Sequence, residues 1–199
     1  HGERVFVTTH LKDKKSLLTL CFDRQTGKER WRHDFGFGVD QRTHEKSSLA
    51  VNTPAVTEDA LYVAFGNADI ARYSHDGKLL WLNRYMTHFG DPKMAWGYGV
   101  SPLVLEDSVL FPWNHHKGPC FLIGLDQKTG EITWKKDRPI GTAHATPLLV
   151  EHHGQKVAGA AVMLGGFRHV AAQKILGGLL AEGLGHGRWW RVFCAPEGE

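Results

Sequence analysis

Histidines and lysines are the residues of this 199-residue chain best placed to do chemistry. His115 and His116 stand side by side next to Lys117. Paired imidazoles can begin a metal site. Adjacent histidines on a strand point to opposite faces, however, and no carboxylate or cysteine stands at ligand spacing beside these two. No metal site is therefore expected. His44, Trp96 and His144 each precede a short apolar run and could reach a shared channel. Trp96 and Tyr98 offer either a stacking platform or two fillers between packed sheets. The candidate binding residues are His44, Lys46, Trp96, Tyr98, His115, His116, Lys117 and His144. Together they read as a basic, histidine-rich rim for an acidic protein partner or an anionic ligand, or as solvated loops. No catalytic residue is assigned. The serines are too scattered for a triad, and Gly36-Phe37-Gly38 and Gly97-Tyr98-Gly99 lack the strand-to-helix context of a phosphate cradle.

Composition narrows the classes further. A hydrophobic fraction of 42% is enough for a sizeable core, and the net charge is only +3. Lys and Arg are dispersed, so a nucleic-acid partner is not expected. Cys21, Cys120 and Cys194 are too few and too far apart for a disulfide framework or a zinc site; the first two lie in apolar runs and read as core. No apolar run is long enough for a transmembrane helix. The chain opens on His1 rather than Met, and is expected to be part of a longer protein.

The elements that must position the rim come from an internal repeat. Residues 23–31 read D-R-Q-T-G-K-E-R-W, residues 73–81 read Y-S-H-D-G-K-L-L-W, and residues 126–134 read D-Q-K-T-G-E-I-T-W. A glycine stands four residues before each tryptophan: Gly27 and Trp31, Gly77 and Trp81, Gly130 and Trp134. Asp23 with Thr26, and Asp126 with Thr129, can close the turn onto backbone N–H groups, while glycine accepts a positive φ. Thr53-Pro54, Ser101-Pro102 and Thr146-Pro147 open successive units. Between these marks lie short apolar runs, which in the second unit fall at 55–56, 60–65, 70–73 and 79–82. The third unit has them at 103–105, 109–113, 121–125 and 132–135. Such spacing argues for an all-β chain. Runs of consecutive apolar residues imply sheets covered on both faces. The first unit begins one strand late, because residues 1–7 line up with 58–63.

These residues resemble the PQQ-type propeller repeat, and among its members the BamB-like bacterial propellers related to the outer-membrane assembly factor. The resemblance covers residues 3–170. It implies an all-β, partial β-propeller of the PQQ/WD40 kind, with about three and a half four-stranded antiparallel blades of a larger ring. The blades are expected near 1–35, 50–85, 98–138 and 142–170. The docked tryptophans would fill the wedges between them. It further implies a non-catalytic scaffold that binds a protein partner in the periplasm or cell envelope, with the remaining blades in a longer chain and no cofactor. The alternative is part of a quinoprotein dehydrogenase that uses PQQ with Ca²⁺, although no adjacent cysteine pair is present. Residues 171–199 depart from the repeat. Ala172, Ile175, Leu176, Leu179 and Leu180 show helical spacing, so an irregular or helical tail, or one read out of frame, is expected there.

Overall fold

Each tryptophan-bearing unit folds into its own antiparallel sheet. The computed structural model describes residues 1–37, 43–138, 145–152, 155–164, 167–176 and 179–183, with side chains as far as Leu149. The first sheet is three-stranded, in the order β1 (Arg4–Leu11), β2 (Ser16–Asp23), β3 (Glu29–Asp34). The second holds β4 (Ala55–Val56), β5 (Leu61–Ala64), β6 (Asp69–Tyr73) and β7 (Leu79–Arg84). The third holds β8 (Leu103–Val104), β9 (Ser108–Trp113), β10 (Cys120–Asp126) and β11 (Ile132–Arg138). The fourth holds β12 (Leu148–His152), β13 (Gln155–Leu164), β14 (Phe167–Leu176) and β15 (Leu179–Gly183). Within every sheet the strands pair in sequence order, as up-and-down meanders.

The consecutive apolar runs follow from burial on two sides. Leu61, Val63, Ala71 and Tyr73 of the second sheet pack with Leu17, Phe6 and Trp31 of the first. The alternate residues Tyr62, Ala64 and Ile70 pack with Val109, Phe111, Phe121 and Ile123 of the third. A strand that faces a neighbour on each side has no polar face to show. One short helix, α1 (Tyr85–Phe89), follows β7 and sets Phe89 edge-on to Trp113 and Phe121.

Turn chemistry explains the hairpins before the tryptophans. The Asp23 carboxylate accepts from the main-chain N–H of Thr26 at 2.8 Å and of Gln25 at 3.0 Å, and from the Thr26 hydroxyl at 2.9 Å. Asp126 accepts likewise from the N–H of Thr129 at 2.7 Å and of Lys128 at 2.8 Å. Gly27 and Gly130 then take φ of +67° and +74°. In the second unit the sequence alignment put Tyr73 at the aspartate position, and the structure corrects this. Ser74 N–H donates to Lys78 O, as Asp23 N–H donates to Lys28 O. Ser74 thus holds the aspartate place in a turn one residue shorter, while Tyr73 is core.

Each tryptophan also follows a β-bulge that the sequence did not announce. The pairing slips between Cys21 and Phe22, between Arg72 and Tyr73, and between Gly124 and Leu125, directly beside Trp31, Trp81 and Trp134. A bulge turns the strand and re-aims the following side chain. The aim is specific. Trp31 Nε1–H donates to the His75 carbonyl and Trp81 Nε1–H to the Gln127 carbonyl, each at 2.9 Å, so each indole is tied to the turn of the next sheet. Trp134 is half-buried with Leu110 and Leu122. A second set of ties uses the Thr/Ser-Pro starts: Thr53 N–H donates to Ser101 Oγ at 2.8 Å, and Ser101 N–H to Thr146 Oγ1 at 3.1 Å.

The expectation for the tail is corrected. The helical spacing from Ala172 to Leu180 is not realised; Ile175 stands opposite Leu180 and Leu176 opposite Leu179 in paired strands. Two glycines in so short a helix would cost about 1 kcal/mol each. A Gly-Gly dipeptide between two apolar runs instead favours a tight hairpin. Strand pairing thus runs past Val170 to Gly183. Residues 184–199, with Gly185, Trp189 and Cys194, lie outside the described residues.

Candidate functional site

Two inter-sheet connections, residues 43–54 and 90–102, run side by side across one end of the sheets. Their contact is built from backbone. His44 N–H donates to Ala95 O at 2.9 Å, and the Ser47 hydroxyl to Trp96 O at 2.8 Å. Gly66, in the β5–β6 loop, donates to Leu49 O at 2.6 Å and accepts from Tyr98 N–H at 2.7 Å. Asn52 is fully enclosed and spans the same gap, its Nδ2 donating to Tyr98 O at 2.9 Å and Val100 O at 2.7 Å. The first sheet joins from the other side, where Lys12 Nζ reaches Ser47 O at 3.2 Å and His10 Nδ1 accepts from Leu49 N–H.

This frame sets two candidate residues against each other. The His44 and Trp96 rings stack with centroids 4.0 Å apart and planes 24° from parallel. Trp96 is 49% exposed, so the pair presents a flat aromatic surface to solvent. Lys46 is exposed beside it, and its main-chain N–H donates to His44 Nδ1 at 3.2 Å, which fixes the imidazole. Trp96 and Tyr98 do not form a platform together. Tyr98 is fully buried, packed on Phe111 and Trp113, and burial pushes its phenol pKa up. Residues two apart on extended chain face opposite ways once Gly97, at φ +79°, turns the backbone between them.

His115, His116 and Lys117 belong to the loop between β9 and β10, not to a strand. The argument that they point to opposite faces of a sheet is therefore replaced by loop geometry. Lys117 N–H donates to His115 Nδ1 at 3.1 Å, and His116 N–H donates to Pro92 O at 3.0 Å, which ties this loop to the 90–102 connection. His44, Lys46 and Trp96 thus form one group, and His115, His116 and Lys117 another, each bonded to the 90–102 connection. His144 lies outside the described residues.

Sequence reasoning gave little weight to Arg138 and none to Asn114. Arg138 ends β11, is only 8% exposed, and its Nη2 donates to the Asn114 amide oxygen. Asn114 N–H in turn donates to the Tyr98 hydroxyl at 3.2 Å. Burial depresses the Arg138 pKa, partly opposed by Tyr98 and Cys120. The signal in the sequence was a basic residue at the end of a strand, which is common on surfaces and rarely buried.

The quinone and Ca²⁺ of the alternative reading can be tested against the donors. Ca²⁺ takes six to eight oxygens, roughly, with several carboxylates among them. Among the described residues no group of three or more His, Cys, Asp or Glu stands in metal-binding geometry. The one buried carboxylate among them, Asp69, is held by Arg84 Nη1 at 3.2 Å and Asn67 Nδ2 at 3.0 Å. Cys21 and Cys120 are free and lie in different sheets. The described residues do not fit that cofactor. No described helix is long and apolar enough to cross a membrane.

Comparison with known proteins supplies the family. No curated protein sequence matches the chain. Among solved structures it is similar to BamB from Moraxella catarrhalis, at 17% identity and a TM-score of 0.56, over 88% of this chain and 52% of that one. It is also similar to quinohemoprotein alcohol dehydrogenase from Comamonas testosteroni, at 13% identity and a TM-score of 0.57, over 86% of this chain and 35% of that one. At these identities the likeness is one of fold, an all-β arrangement of antiparallel sheets matching part of a PQQ-type propeller, and the chain spans about half the length of the BamB structure. The family described as outer membrane protein assembly factor BamB matches residues 3–182. With its tryptophan-docked antiparallel sheets and that match, the chain belongs to the BamB family of PQQ-repeat propellers.

Proposed function

We propose that this chain is part of a non-catalytic propeller scaffold that binds an acidic protein partner in the bacterial envelope, through the face bearing His44, Lys46 and Trp96. The observation that carries this reading is the His44–Trp96 stack. Trp96 is half exposed yet held on both sides, its ring by His44 and its carbonyl by Ser47. Tryptophan is among the residues enriched at interface hot spots, and a preorganised ring loses little side-chain entropy on docking. Lys46 stands on the 43–54 connection, and Lys12 and Lys117 on loops bonded to the two connections, which gives charge complementarity to an acidic surface. The envelope location and the assembly role come from the family, whose described activity is outer membrane assembly. The rest of the ring is supplied by the longer protein that this reading requires.

The test uses the intact protein and an Asp/Glu-rich peptide, followed by fluorescence anisotropy. Trp96→Ala with Lys46→Gln is expected to weaken binding about tenfold or more without changing the circular dichroism spectrum. Equal affinity for parent and variant would remove the face from the proposal. Adding PQQ with Ca²⁺ separates the scaffold from an oxidoreductase: tight quinone binding with dye reduction by alcohols or sugars would replace the scaffold reading altogether.

A further inference from the structure

Among the described residues the buried Arg138 guanidinium has no carboxylate partner. Its Nη2 is bonded to Asn114, but Nε and Nη1 have no hydrogen-bond partner. The groups that act on it electrostatically are the Tyr98 phenol and the Cys120 thiol, neither of them a carboxylate. Asp137 is next in sequence but points from the other face of β11, and lies 3.6 Å from Lys135 with its side chain exposed. The contrast with Arg84 is direct. That guanidinium meets the Asp69 carboxylate at 3.2 Å and the Phe35 carbonyl at 2.9 Å. Arginine does not shed its proton to escape burial. Burying it unpaired is among the costliest polar arrangements a fold can hold. The loop bonded to it through Asn114 carries His115, His116 and Lys117 and no acidic residue.

We propose that Arg138, with Asn114 bonded to it and the Tyr98 hydroxyl bonded to Asn114 in turn, anchors an oxyanion site on the third sheet, which takes the carboxylate or phosphate group of a small anionic ligand. A planar guanidinium with unused donors matches either group. A purely structural Arg138, holding the loop through Asn114, would behave oppositely on neutral replacement.

The experiment measures the melting temperature of the intact protein in chloride, in inorganic phosphate and in glutarate at one ionic strength. It is paired with the ¹⁵N resonance of arginine Nε. Parent protein is expected to melt higher in a saturable way with at least one of the two oxyanions, and the Arg138 Nε signal to shift over the same concentrations. Arg138→Met is expected to lose that rise and to melt no lower than the parent in chloride. Arg138→Lys, which keeps the charge without the fork, is expected to bind at least tenfold more weakly, and stands in should the methionine variant not fold. A response to phosphate alone assigns the ligand as a phosphate, and a response to glutarate alone as a carboxylate. No shift with either anion, an equal rise in Arg138→Met, or a lower melting point for that variant in chloride would overturn the site.

Discussion

Trp81 of the second sheet lies flat against Gly130 of the third. A Cβ built on Gly130 would stand 2.7 Å from Trp81 Cδ2, and Gly130 also takes a φ of +74°. The same relation joins Trp31 to Gly77, whose Cβ would meet the indole at 2.7 Å with φ at +88°. The repeat glycine therefore serves two ends. It closes its own hairpin, and it leaves room for the tryptophan of the preceding sheet, whose Nε1–H is tied to that hairpin.

Replacing glycine separates those roles. Gly27 has φ +67° but open space around it, so Gly27→Ala pays only left-handed strain, about 1 to 2 kcal/mol. Gly130→Ala pays that strain and crowds the indole as well, for about 2 to 4 kcal/mol in all. Urea denaturation of the two variants checks this, and equal losses would show that the Trp81 contact yields without cost.

Gly66 couples the core to the proposed binding face. A Cβ there would stand 2.8 Å from Leu49 Cα, a backbone atom that cannot rotate away. Gly66→Ala is expected to cost about 1 to 3 kcal/mol and to push the 43–50 segment outward. His44 would then leave Trp96, so indole fluorescence should change in the folded protein before any unfolding occurs. An unchanged emission spectrum would mean the stack does not depend on this loop.

Acid should loosen the hairpins. The Asp23 carboxylate is held well below its usual range, first by the Arg30 guanidinium and then by the N–H and hydroxyl of Thr26; Asp126 is held low mainly by the N–H of Thr129. A depressed folded-state value means the stabilisation is complete above the unfolded carboxylate pKa, about 4, and is lost as pH falls from there through the folded value. Asp23→Asn with Asp126→Asn is therefore expected to show a flatter stability profile than the parent between about pH 6 and pH 2.5. The readout is the urea midpoint at each pH, and parallel profiles would assign the acid sensitivity elsewhere.

How much of this was legible in the sequence depends on how local each feature is. A hairpin of D-x-x-T-G type is closed by residues within a few positions of one another, so its letters recur wherever it does, and strands between such turns can be read from apolar runs. The Ser74 turn was misaligned because a turn one residue shorter keeps the same hydrogen bond under different letters. The strands from Phe167 to Gly183 were hidden for a related reason: a few leucines spaced around two glycines fit helix and hairpin alike, and only pairing decides. The bulges beside the tryptophans left no letter of their own.

The face was set otherwise. His44, Trp96, His115 and Tyr98 were marked in the sequence by type, but type does not say which of them meet. Stacking of His44 on Trp96, enclosure of Tyr98, and the lone guanidinium of Arg138 arise from segments brought together across sheets, where distance in space has no counterpart in distance along the chain. The repeat wrote the sheets, because each turn is closed by its own neighbours. The surface they expose was decided by how three sheets lean on one another.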